Sequence, residues 1–96
     1  MAKLQTIKKD IAYLTGEVIS NCYLALFFQG EGSQESLTDT MNKAIDLHNS
    51  LIQRANHPAE KNNARLVRKH YAAIRTDLTN GVDELFNDIS KVCATK

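Results

Sequence analysis

The side chains with the most chemical potential are a few histidines and arginines. His48 and His70 fall in the second and third of three segments patterned with apolar residues, and Tyr13 and Glu17 fall in the first. Counted at about 1.5 Å per residue from a turn at Pro58, the two histidines come within about 5 Å of each other in height, with Tyr13 and Glu17 nearly level. Two imidazoles and a carboxylate on facing helices can hold a divalent cation. The spacing does not favour that use, because the Glu-x-x-His pairs of di-iron bundles are absent and so is any His-x-x-x-His pair. The histidines are expected to be packed or hydrogen-bonded, and neither a metal nor a cofactor is expected.

Arg65 and His70 offer a different chemistry. An arginine and a histidine about a turn apart can stabilise a phosphorane and shuttle a proton. Their Arg-x4-His spacing resembles the signature of the HEPN-type ribonucleases, which are also helical bundles, over six residues of the chain. The resemblance implies a nuclease in which these two side chains would act. The same stretch carries a basic face of Lys61, Arg65, Arg68 and Lys69, with Arg75 further along. Such a face can grip phosphates. Its single interleaved aromatic, Tyr71, sits on the apolar seam, so any binding of nucleic acid would be non-specific. No glycine-rich phosphate loop, Gly-x-Ser-x-Gly elbow or Cys-His nucleophile pair is present.

The whole-chain numbers narrow the classes. The sequence has 96 residues, enough for one domain with a modest core, and a formal net charge of +1, which gives no global pull toward nucleic acid or anionic membrane. Cys22 and Cys93 lack C-x-x-C spacing, which argues against a disulfide framework or zinc site and suits a reducing compartment. No uninterrupted apolar stretch follows Lys3, Lys8 and Lys9 as in a signal peptide. The longest apolar run, Cys22 to Phe28, is too short to span a bilayer. These features predict a soluble, cytoplasmic protein with no membrane partner and no evident small-molecule substrate.

The elements that must position these side chains are helices. Leu4, Ile7, Ile11, Leu14, Val18, Asn21, Ala25 and Phe28 alternate by three and four, which predicts a helix over 3–29 with a coiled-coil-like seam. A Gly- and Ser-containing loop follows at 30–36. Ser36 is the expected N-cap of a second helix, 37–56, whose stripe is Leu37, Met41, Ala44, His48, Leu51 and Ala55. Pro58 is expected at the first position of a third helix running to Cys93, with Glu60 in its first turn. That stripe, from Val67 through Tyr71, Ile74, Leu78, Val82, Leu85 and Ile89 to Val92, skips a step at Asn80-Gly81. A continuous helix with a local unwinding is the favoured reading, and a break giving a fourth short helix is the alternative.

The expected fold is all-α, a single domain over 1–96: an antiparallel up-down-up three-helix bundle with a long C-terminal helix. Helix three should outrun helix two by roughly 24 Å. The overhang, with the apolar end of helix one, should present Phe27, Phe28, Leu85, Phe86 and Ile89 as an interface. Charge is segregated as well, with helix three basic in its first half and acidic in its second, which favours antiparallel pairing of two copies. The expected function is non-enzymatic: self-association, as a homodimer, or binding of a helical protein in an adaptor, assembly or regulatory role. A nucleic-acid-associated protein using Lys61, Arg65, Arg68 and Lys69 is the alternative, and a HEPN-type ribonuclease comes third.

Overall fold

Apolar residues recurring every three or four positions need a common surface to bury them, and three such stripes find it in one another. The computed structural model describes the backbone of residues 2–29, 31–57 and 63–94, and the side chains of 5–28, 32–57 and 63–93. It contains helices α1 (Ala2–Gln29), α2 (Gln34–Asn56) and α3 (Ala64–Ala94), with a 3-10 turn at Glu31–Ser33. They form an up-down-up bundle 52 Å long and about 17 Å across, in which α1 and α3 run the same way.

The core runs the length of the rod. Ile7, Ile11, Val18 and Cys22 of α1 meet Leu37, Ala44 and Leu51 of α2, and Ile74, Leu78, Val82, Leu85 and Ile89 of α3. Two hydroxyls are buried with them, and each is satisfied within its own helix. Thr15 donates to the Ile11 carbonyl at 2.7 Å, and Thr40 donates to the Ser36 carbonyl at 3.1 Å. α3 passes through Asn80-Gly81 without a break, as the favoured reading expected.

Three local expectations are corrected. The seam of α1 departs from the expected line at Leu14, where Thr15 is the buried residue, and again at Asn21, where Cys22 is; Val18 and Ala25 are buried as expected, and Asn21 and Phe28 fall outside the seam. An α-helix has 3.6 residues per turn, so a strict 3.5-residue stripe drifts by about 20° per heptad. Asn21 instead donates to the Glu17 carbonyl of its own helix at 2.7 Å. α2 starts at Gln34 with Ser33 in the cap position, so Ser36 lies inside the first turn. α3 starts at Ala64 and not at Pro58. Asn63 caps it, its Oδ1 accepting from the amides of Arg65 at 3.1 Å and Leu66 at 3.2 Å, the two donors an Asn N-cap satisfies. Pro58, Glu60 and Lys61 lie outside the described residues.

The overhang expected at the end of α3 is absent, and the length by which α3 (31 residues) exceeds α2 (23 residues) lies at its start. Gly81 lies beside Leu47, so Ala94 stands as far above Gly81 as Gln34 stands above Leu47, and the two helices finish level. The Arg75–Asp10 ion pair at 2.8 Å fixes α1 against α3 so that Gln29 ends near the same height. Leu85 and Ile89 are consequently spent on the bundle's own core, at 6% and 8% exposure, and Phe86 is half-buried against it.

Candidate functional site

Subtracting the core from α1 leaves a second apolar stripe on its opposite side. At about 100° per residue, Tyr13, Gly16, Ser20, Leu24 and Phe27 centre on a line facing away from Ile11, Val18 and Cys22. Its large members and the flanking Tyr23 and Phe28 are open to solvent: Phe27 81%, Phe28 71%, Tyr13 66%, Tyr23 63% and Leu24 56% exposed. Phe27 and Phe28 meet edge to face, with ring centroids 5.3 Å apart. They are the interface residues expected from sequence that remain at the surface. Tyr23 and Leu24 belong to the apolar end of helix one that was expected there; Tyr13, Gly16 and Ser20 were not, although with Leu24 and Phe27 they keep a readable three-four-four-three spacing.

Beside this stripe, Ala12, Thr15, Gly16 and Ile19 of α1 and Ile45 and His48 of α2 line a shallow, mainly apolar recess. Gly16 leaves it open, since a Cβ there would meet nothing within 4 Å. Between Ile11 and Phe28 the only charged residue is Glu17. Over Gln5–Phe28, α1 is long and apolar enough to cross a membrane by length and composition. The seven-residue run considered from sequence understates this, because Thr, Ser, Gly and Asn do not interrupt an apolar helix as charges do.

The histidines do not converge. A ring nitrogen of His70, Nε2, donates to the Arg54 carbonyl at 2.6 Å, while His48 Nδ1 lies 3.1 Å from Asn49 Oδ1. Since His70 is level with Arg54, it stands about 9 Å below His48 along α2. Among the described residues no group of three His, Cys, Asp or Glu side chains is placed to hold a metal. Arg65 and His70 point about 140° apart around α3. The arginine is exposed and the histidine is directed at α2, so the two do not face a common point.

The basic face is present in part. Arg65, Arg68 and Lys69 are exposed on the outer side of the first turns of α3, and none pairs with a carboxylate among the described residues. Arg75 is held by Asp10, and Arg54 pairs with Asp77 at 2.7 Å. Both pairs are partly exposed and contribute on the order of 0–1 kcal/mol each.

The thiols differ in environment. Burial pushes the Cys22 thiol up to about 11, whereas Cys93 is half-buried near the end of α3. At mildly alkaline pH a thiol reagent should label Cys93 readily in the folded protein. Cys22 should react at least about a hundredfold more slowly, because the thiolate is the reactive form. Both should label in urea; equal native rates would contradict the burial. Stability falls in the same direction, since the unfolded thiol, near 9.0, ionises first as pH rises toward 11.

Comparison with protein-family models, with curated proteins and with solved structures finds no match to the chain.

Proposed function

We propose that this protein works by binding another polypeptide, and not by catalysing a reaction, through the outer face of α1. One observation carries this reading: the three helices complete a core along the whole rod, and α1 still presents Tyr13, Tyr23, Leu24, Phe27 and Phe28 to solvent. Clustered, exposed aromatics mark surfaces that are covered when the protein acts. The buried, unpaired Cys22 suits a reducing compartment, which supports a cytoplasmic location as part of this reading.

The test is photo-crosslinking in the native cell with a benzophenone amino acid in place of Phe27. Light should give discrete adducts between this chain and a polypeptide, whether a second copy or another protein. The same probe at Lys43, exposed on α2, should give none. Absence of a protein adduct at position 27 would overturn the reading.

A second reading is favoured by the charge at the start of α3. Arg65, Arg68 and Lys69 stand without a carboxylate partner among the described residues at the positive end of a helix, where cations are disfavoured and an anion is welcome. Non-specific contact with nucleic acid would use them. Binding that weakens steeply with salt, and is lost in an Arg65→Glu/Arg68→Glu chain, would favour this reading over the first.

A further inference from the structure

We infer that the occupant of the α1 face is a second copy of this chain, packed antiparallel with Ser20 on the twofold axis. This rests on the proposed function above, and it specifies both partner and register.

The stripe Tyr13, Gly16, Ser20, Leu24, Phe27 is spaced symmetrically about Ser20, at seven and four residues on either side. An antiparallel twofold therefore brings Gly16 of each copy level with Leu24 of the other, and Tyr13 level with Phe27. Small residues at the centre let the two helices approach closely, and large ones flank them. Leu24 meets the surface bordered by Tyr13, Gly16, Glu17 and Ser20, the four positions that surround a knob on a facing helix.

The recess beside Gly16 has an occupant in the same arrangement. Tyr23 leans toward the α2 side of the stripe, as Gly16 and Ile19 do, and the twofold keeps each flank on its own side. Tyr23 of the second copy thus comes over the recess lined by Gly16, Ile19, Ile45 and His48. His48 supplies a ring nitrogen not held by Asn49 for the phenol hydroxyl, which needs a partner once buried. Within its own chain nothing approaches Gly16 closely enough to forbid a Cβ, whereas in the pair Leu24 of the second copy would.

Area and charge select this partner. At roughly 200 Å² per large side chain, the five exposed residues offer about 700 Å² per copy, close to the ~800 Å² each partner contributes to a stable complex. In a parallel pair Glu17 would face Glu17 and Lys9 would face Lys9. The antiparallel register separates the two Glu17 by about 9 Å along the axis and the two Lys9 by about 33 Å.

Sedimentation and light scattering on the purified full chain across a dilution series test the inference. The wild type should be a dimer. Gly16→Leu should dissociate at concentrations at least about tenfold higher than the wild type, and should melt no lower than the wild type diluted to its monomer. Leu24→Glu, altered at an exposed position, should give the same loss while folding normally. In a Cys93→Ser chain, Ser20→Cys should cross-link the dimer under mild oxidation and Lys9→Cys should not. A dimer unaffected by both Gly16→Leu and Leu24→Glu would overturn the inference, as would equal cross-linking at 9 and 20, which marks a parallel pair. A monomer that still cross-links from position 27 to a different protein would overturn the inference and leave the proposed function standing. Binding of the wild type, but not of Leu24→Glu, to phosphatidylcholine–phosphatidylglycerol vesicles without any protein adduct would overturn both.

Discussion

Truncating Ile74 to alanine should cost about 3–4 kcal/mol and lower the melting temperature by roughly 15–25 °C. Ile74 is fully buried, in the same cluster as Ile7, Ile11, Leu51 and Ala55. Three methylene or methyl groups would leave that cluster and a cavity would remain. The helices are tied through the cluster from three sides and can collapse only partly, so the transfer term and the cavity term add. A domain of this size has on the order of 5–15 kcal/mol in total, so the loss is a large share of it. Ile74→Val should cost about 1 kcal/mol, and Leu24→Ala, on the outer face, should stay within about 0.5 kcal/mol in the monomer. Urea unfolding followed by circular dichroism reads all three. An Ile74→Ala cost under about 1 kcal/mol would mean that the core is not where α3 places it.

The two mid-helix glycines should respond in opposite directions. Gly16→Ala should stabilise the monomer by up to ~1 kcal/mol, because alanine is the better helix former and the new methyl meets nothing. Gly81→Ala should gain little. Its Cβ would come 2.8 Å from Leu47 Cδ2, so the leucine end must move, and that displacement offsets the helix gain. Gly81→Val adds two further methyls at the same close approach and should cost about 2 kcal/mol by overpacking. Midpoints of urea unfolding at unchanged m-value separate these outcomes. A stabilised Gly81→Val would show that α2 does not approach α3 there.

The two glycines also show what could be read from the sequence. Both sit inside helical patterns, and nothing in their neighbours distinguishes a glycine beside another helix from one at an open surface. The three helices were legible because their stripes are long and their breaks carry Gly, Ser and Pro. The heights of the helices were not. Pro58 and Asn63 are both plausible starts, and choosing Pro58 added six residues to α3 and put its overhang at the C-terminal end, whereas the structure has it at the start. Leu85 and Ile89 were assigned to an interface by that error, while Phe27 is exposed because it lies opposite the core and Phe28 because the α1 seam drifts away from it. The outer stripe of α1 was visible as residues but not as a surface. A helix with two apolar sides does not say which one the chain will bury, and the partners Leu37, Leu51 and Ile74 decide it only when packed.

An odd number of antiparallel helices has a consequence for whatever is joined to this rod. The start of α1 and the finish of α3 lie at opposite ends of a body 52 Å long. Within one copy, two attachments at those ends are held apart by a rigid strut. In the Ser20-centred pair the start of α1 in one copy comes within roughly 14 Å, in height, of the finish of α1 in the other. Pairing would thus change the molecule from a spacer into a coupler, turning the longest separation along one chain into a short one between two. Energy transfer between dyes at the two ends, measured in singly and doubly labelled mixtures, distinguishes the strut from the coupler.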